Sequence, residues 1–210
     1  MITFYSSPST AGLVVHWLLI ELEIPHTLHM LDLAAGDHKK PGYLALNPAG
    51  VVPTLVIDGQ PITEAAAISL HLADAYPARG FAPAPGTLAR GAYYQWMFFL
   101  ANTLQPAFRA WFYPTEPAGE ANVEATKAQA RARIEAAWAR LDAHLAAHGP
   151  YLLGDALSTP DFMLTMLMRW SRNMPKTATA WPALERYAAA MKARPSFKEL
   201  YAREGLTDWT

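Results

Sequence analysis

The chain has 210 residues, and with 52% of them apolar it can bury one large core or two modest ones. Its 17 Lys and Arg against 18 Asp and Glu leave a formal charge of −1 with no block of like charge, so neither nucleic acid nor an anionic membrane is expected as a partner. The absence of Cys excludes a disulfide scaffold, thiolate-held metals and any mechanism in which the protein supplies its own sulfur nucleophile. Met1 leads into Ile2-Thr3-Phe4-Tyr5 without a basic leader, and no apolar run approaches the roughly 20 residues that cross a bilayer, so a soluble cytoplasmic protein is expected. Ile2 to Tyr5 is a short β-prone run. Ser6-Ser7-Pro8-Ser9-Thr10 breaks it, and Leu13, Trp17, Ile20 and Ile24 follow at helical spacing. After Pro25, the stretch from His26 to Leu33 reads as a second strand, and the polar run from Ala34 to Pro41 as a surface connection. Val52 to Ile57 and Gln60 to Thr63 flank Asp58-Gly59, a dipeptide that reaches positive φ cheaply and closes a hairpin. Glu64 opens a helix through Ala65, Ile68, Leu72 and Tyr76. Residues 1–77 therefore spell βαβ and then ββα, a small α/β domain.

Proline and glycine crowd the run from Pro77 to Gly86, so a linker is assigned to 78–86. From 87 to 210 the pattern is helical, most cleanly at Ile134, Trp138, Leu141 and Leu145. Helices are expected over Thr87 to Tyr113, Ala121 to His148, Pro160 to Ser171, Pro182 to Lys192 and Pro195 to Ala202. In Ser158-Thr159-Pro160-Asp161, Ser158 reads as N-cap and Asp161 as the side chain that reaches back to its amide. His16 and His71, on apolar helices, are expected to be interior or boundary side chains. His144 and His148 share a helix face, but with no third ligand in view no metal is expected.

Asn47-Pro48-Ala49-Gly50-Val51-Val52-Pro53-Thr54-Leu55, followed by Thr63-Glu64-Ala65-Ala66-Ala67-Ile68, resembles the glutathione-binding core of the glutathione transferase family. Phe4-Tyr5-Ser6-Ser7-Pro8-Ser9-Thr10, Asp37-His38-Lys39-Lys40-Pro41 and Gly154-Asp155-Ala156-Leu157-Ser158 extend the resemblance over nearly the whole chain. It implies a thioredoxin-like N-terminal domain followed by an all-helical C-terminal domain, a homodimer, glutathione as co-substrate and a role in detoxification. By the same resemblance Tyr5, His38, Lys39, Val51, Val52, Pro53, Glu64 and Ala65 are the glutathione contacts.

The residues themselves leave bland readings beside these. Val52-Pro53 is a candidate cis bond that would expose the Val52 backbone to an extended peptide, or else a tight turn before a strand. Glu64 and Ala65 open a helix whose unpaired amides favour a carboxylate, though an acid in a first turn is stabilising by itself. The family usually places Ser or Thr after this Glu, so Ala65 implies weaker binding. His38 and Lys39 match the family's contacts to the glycyl carboxylate, and would equally suit a solvated loop. Thr10, with Ser9 second, is the candidate catalytic hydroxyl that would hold the glutathione sulfur as thiolate. Thr10 stands where beta-class enzymes carry cysteine and phi-type enzymes their hydroxyl; either residue could instead only cap the helix. A hydrophobic electrophile is expected between the domains, against Trp96, Phe99, Asn102, Gln105, Arg109 and Tyr113, although helix-spaced aromatics are core by default. Gln105 replaces a beta-class histidine, and Arg109 is the contact for an acidic electrophile. The activity implied is glutathione transfer. The same fold also serves glutathione-dependent isomerases, dehalogenases and peroxidases, and non-catalytic scaffolds, which Ala65 would suit.

Overall fold

Four short strands, Ile2–Ser6 (β1), Thr27–Met30 (β2), Thr54–Ile57 (β3) and Gln60–Thr63 (β4), form one sheet in the order β2-β1-β3-β4 in a computed structural model describing all residues from Met1 to Thr210. The helices are Gly12–Glu21 (α1), Pro41–Leu44 (α2), Ala65–Ala75 (α3), Leu88–Phe99 (α4), Gln105–Phe112 (α5), Thr115–Ala118 (α6), Val123–His148 (α7), Thr159–Trp170 (α8), Pro182–Lys192 (α9) and Pro195–Glu204 (α10). By proximity of Cα atoms the chain forms two units, Met1–Ala82 with Lys192–Asp208 and Thr210, and Pro83–Met191 with Trp209.

In the first unit β1 runs parallel to β2 and antiparallel to β3, and β3 antiparallel to β4, the thioredoxin-like mixed sheet expected from the sequence. Asp58 at φ 48° and Gly59 at φ 83° close the β3–β4 hairpin with both residues left-handed, the conformation that matches strand twist in a two-residue loop. Phe4 and Leu55 are fully buried, as are Leu13, Val14, Trp17 and Leu18 of α1 and Ile68 and Leu72 of α3. All residues from Gly12 to Ile20 are buried, because α1 packs on β1, α3 and α10 at once; this accounts for a helix apolar around its whole circumference. His16 is interior as expected, its Nδ1 2.8 Å from Glu204 Oε1, which ties α10 to α1. His71 is exposed instead, on the outward side of α3, which the surrounding apolar letters concealed.

Gly12 is fixed by close approach: a Cβ there would lie 1.9 Å from Ser6 Oγ. Gly12→Ala is therefore expected to lower stability by about 1–3 kcal/mol, through overpacking of the β1–α1 turn. A thermal melt checks this. Ser6→Ala in the same chain should recover part of the loss, and full stability of the single variant would contradict it.

The second unit is a helical bundle around α8, buried from Thr159 to Arg169. Ile134, Trp138, Leu141 and Leu145 of α7 face inward as their spacing requires. Ser158 and Asp161 form the reciprocal cap read from the sequence. The helix expected from Thr87 to Tyr113 is instead interrupted by a π turn at Leu100–Leu104, where Gln105 N–H donates to Leu100 C=O five residues back. Pro106 supplies the reason: it has no N–H for the carbonyl four residues earlier and its ring crowds that carbonyl, so the helix widens. Further short pieces lie in segments read as irregular or, at Ala121, Asn122 and Ser171, at the margins of expected helices. They are α2, whose Pro41 sits where no N–H is needed, α6, and 3₁₀ turns at Asp37–Lys39, Pro77–Arg79, Glu120–Asn122, Ser171–Asn173 and Ala178–Ala180.

Candidate functional site

Register brings the candidate residues of the first unit to one end of its sheet. Tyr5 pairs with Thr54 and Thr54 with Thr63, while Ser6 lies beside Met30. The segments that leave β1, β2 and β4 and the one that enters β3 therefore share an edge. Thr10, the 37–40 loop, Glu64 and Val52 belong to those four segments respectively.

In the turn from β1 to α1, the Thr10 hydroxyl donates to Ser7 C=O at 2.7 Å and accepts the Gly12 N–H at 3.2 Å. Its lone pair is thus held at the mouth of α1, and its proton rests on a neutral acceptor. Ser9 is a half-buried residue at φ 63°, a left-handed conformation that costs a non-glycine residue about 1 kcal/mol or more. Tyr5 stacks on His29 with centroids 4.9 Å apart and lies 5.8 Å from the Tyr43 ring.

The Val52–Pro53 peptide is cis. Val51 and Thr54 on either side of it are anchored: Tyr43 Oη donates to Val51 C=O at 2.6 Å and meets Thr54 Oγ1 at 2.9 Å, and Asn47 Nδ2 donates to Val51 C=O at 2.7 Å. Burial pushes the Tyr43 phenol above its ordinary range, so it remains a donor throughout physiological pH. The N–H and C=O of Val52 itself make no hydrogen bond within the protein. Tyr43 and Asn47 were not among the site residues expected from sequence. Asn47 stands within the quoted motif, but nothing in the letters says that its amide braces the loop.

Lys39 Nζ donates to Gly50 C=O at 2.8 Å, so the 37–40 loop is pinned onto the Val52 loop. Gly50 permits this at φ 58°; a Cβ there would stand 2.9 Å from Lys39 Nζ and 3.0 Å from His38 O. Lys40 instead pairs with Asp37 at 2.6 Å, a bond that lowers the Asp37 carboxyl and raises the Lys40 ammonium from their ordinary values. His38 keeps Nδ1 buried without a partner. Glu64 precedes α3 at φ 70° with an exposed side chain that makes no cap bond. Ala65 is buried, and the first amides of α3 have no acceptor inside the helix.

The candidates on the helical unit fall into two groups. Trp96, only 4% exposed, packs edge-on to Phe99 at 5.7 Å, and the Arg140 guanidinium lies over the Phe99 ring at 4.3 Å. Arg109 is held by Glu116, with Nε to Oε2 2.7 Å, and lies over the Tyr113 ring at 4.2 Å. The bond to Glu116 raises the guanidinium further above its ordinary value, and the side chain stays 59% exposed, so the group expected to meet an acidic electrophile is ion-paired at the surface rather than buried. Seventeen residues separate Trp96 from Tyr113, about 25 Å along a helix, so one small molecule cannot touch both. Asn102 and Gln105 lie at the π turn between the groups, exposed and half-buried. Two aromatics missed in the sequence join the second group: Phe112, 46% exposed, and Trp170, 6.1 Å from it, with an indole N–H buried and unpartnered. No group of three or more His, Asp or Glu is disposed to hold a metal, and no helix is long and apolar enough to cross a membrane.

Residues 9–75 match the family model of the glutathione S-transferase N-terminal domain, and residues 101–204 that of the C-terminal domain. The chain is 30% identical over 203 residues to glutathione S-transferase GST-4.5 of Xanthomonas campestris pv. campestris, covering 96% of this chain and 98% of that protein. Among solved structures it is similar to a glutathione transferase from Methylococcus capsulatus, with TM-score 0.88, 29% identity, and 99% and 100% of the two chains covered. A glutathione transferase homolog from Sulfitobacter with bound glutathione superposes with TM-score 0.90 at 26% identity, over 99% of each chain.

Proposed function

Because this chain belongs to the glutathione S-transferase family, we propose that it binds glutathione along the shared end of its sheet and ionises the thiol for attack on a hydrophobic electrophile. The unpaired Val52 N–H and C=O carry this reading, since a backbone braced on both sides yet left without partners is the half of a strand pairing that an extended peptide completes. The cysteinyl unit of glutathione pairs there. Its γ-glutamyl carboxylate takes the amides of Ala65 and Ala66 at the positive end of α3, with Glu64 accepting from the ammonium. The glycyl carboxylate lies toward His38 and Lys39, with Tyr5, Val51 and Pro53 shaping the walls.

Thr10 is the donor to the sulfur. A thiol with pKa about 8.5 must drop by roughly 2 units, or about 2.7 kcal/mol, to be mainly thiolate at neutral pH. A hydrogen bond to an ion contributes about 1.5–3 kcal/mol against 0.5–1.5 for one to a neutral acceptor, so the Thr10 proton transfers its bond from Ser7 C=O to the thiolate with a net gain. The Gly12 N–H on the same oxygen strengthens that donor. Ser9 serves the turn. Ser9→Gly should leave the thiolate titration unmoved and raise stability by up to about 1 kcal/mol, by relieving the left-handed residue; an upward shift of the bound thiol's pKa in that variant would transfer the catalytic role to Ser9.

The electrophile rests on the exposed aromatic surface at the end of α5, formed by Phe112 and Tyr113 with Trp170 behind, and Gln105 and Asn102 at its polar margin. Trp96 and Phe99 belong to the bundle. Like its family, the chain is proposed to act as a homodimer.

Calorimetry with glutathione tests the binding half: a Kd between micromolar and millimolar is expected, and absence of heat would favour a scaffold that kept only the fold. Ala65→Ser supplies the hydroxyl missing at the start of α3. It should tighten glutathione by about three- to tenfold, the equivalent of one hydrogen bond. Unchanged affinity would show that the γ-glutamyl carboxylate lies elsewhere.

A further inference from the structure

Tyr43, Asn47 and Thr54 form a buried cluster of polar side chains beside Val51, and the direction of every proton in it can be assigned. Asn47 Oδ1 accepts the Ala49 N–H at 3.1 Å, which turns the amide so that Nδ2 faces Val51 C=O at 2.7 Å and Thr54 Oγ1 at 3.3 Å. An amide nitrogen donates in both contacts. Tyr43 Oη lies 2.6 Å from the same Val51 carbonyl and 2.9 Å from Thr54 Oγ1. A carbonyl only accepts, so the phenol proton goes to Val51, and the Thr54 proton then goes to Tyr43 Oη. Asn47 thus donates to Thr54, Thr54 to Tyr43, and Tyr43 and Asn47 together to one oxygen.

Val51 C=O and Val52 N–H are the two ends of a single peptide group. Resonance couples them, so two donors on the oxygen draw density from the nitrogen and make its N–H a stronger donor. Within the protein that N–H has no acceptor. A donor strengthened from behind and left open in front gains nothing for the fold; the gain falls to an acceptor that arrives from outside.

We propose that Tyr43 is a positioning residue for glutathione, acting through the Val51–Val52 peptide: its hydroxyl, with the Asn47 amide, aims and polarises the Val52 N–H that pairs with the cysteinyl carbonyl. This rests on the groove reading given above. The contact is the same before and during attack on the electrophile, so loss of the hydroxyl weakens binding without slowing the chemical step. Thr54 acts at one remove, as the donor that completes Tyr43 Oη.

Tyr43→Phe keeps the ring and removes the hydroxyl. In the glutathione-free variant the ¹⁵N resonance of Val52 should move upfield, because its nitrogen regains density, while those of Leu55 and Val56 in β3 stay in place. Kd and KM for glutathione should rise about three- to tenfold, the equivalent of one hydrogen bond, with kcat at saturating glutathione and the pKa of the bound thiol unchanged. Asn47→Ala removes the other donor and should give the same pattern, which reads the proposal if Tyr43→Phe does not fold. An unmoved Val52 resonance, an unchanged KM, or a loss that falls on kcat or on the thiol's pKa would each overturn the proposal. So would movement of Leu55 and Val56 together with Val52, which would make Tyr43 a brace of the fold alone. Failure of the unaltered protein to bind glutathione would overturn the groove reading and this inference with it, whereas binding that is equal in the unaltered protein and both variants removes this inference alone.

Discussion

Thr10→Val should raise the pKa of glutathione's thiol in the bound state by about 1–2 units, the equivalent of the lost charge-assisted bond of about 1.5–3 kcal/mol. Valine replaces the hydroxyl by a methyl of similar size, so affinity for the un-ionised thiol, read at pH below both bound values, should stay within about twofold, while affinity for the thiolate should fall by about 10- to 100-fold, the same factor as the pKa shift. The effect on rate is less simple than a uniform loss. A more basic thiolate is also more nucleophilic, with a Brønsted coefficient of about 0.4–0.5, so part of the lost ionisation is recovered in reactivity. For a shift of about 1.5 units, conjugation should slow by about fivefold at pH 6 and be no slower at pH 9. Crossing pH–rate profiles are therefore the signature, readable with any chromogenic electrophile once the ultraviolet absorbance of the thiolate has fixed the two pKa values. A Thr10→Val enzyme with an unshifted thiol would place sulfur activation elsewhere.

Asp161→Ala should be among the most destabilising single changes in the helical unit. The Asp161 carboxylate is fully buried and accepts from Leu152 N–H, Ser158 N–H and Ser158 Oγ, each at 2.9 Å, and from Tyr187 Oη at 3.2 Å. Alanine leaves buried donors without acceptors and removes the cap of α8, for a loss of about 3–5 kcal/mol. Stability should also depend on pH through this group. Burial raises the folded carboxyl from 3.8 to about 6 in spite of its four donors. Between those values the folded chain holds a proton that the unfolded chain has released, so stability falls as pH rises from 3.8 to about 6 and is level above. Asp161→Asn, which cannot ionise, should flatten that segment of the profile in urea unfolding followed across pH. The same slope in the Asn variant would mean that other groups produce it.

The parts of this molecule that were legible from its letters are those governed by local rules. Asp58-Gly59 closes a hairpin and Ser158 with Asp161 caps a helix because turn and cap chemistry are satisfied within four residues. The α7 stripe at Ile134, Trp138, Leu141 and Leu145 follows from period alone. What escaped was set by distant partners. Nothing near Arg109 announces that Glu116 will take its charge, and nothing near Asn47 that its amide will hold Val51 C=O. The π turn had a local cause in Pro106, yet a proline inside a helical pattern signals a kink or a break as readily as a widened turn. Thr10 shows the same limit at the site: its position before a helix was plain, whereas its bond to Ser7 C=O required the folded turn.

The groove itself is tested most directly by amide spectra of ¹⁵N-labelled protein titrated with glutathione. Saturable shifts at the Val52, Ala65 and Ala66 amides are expected, sharing one binding constant and absent with cysteinylglycine, which lacks the γ-glutamyl carboxylate. A spectrum in which those three resonances stay still while glutathione binds would contradict it.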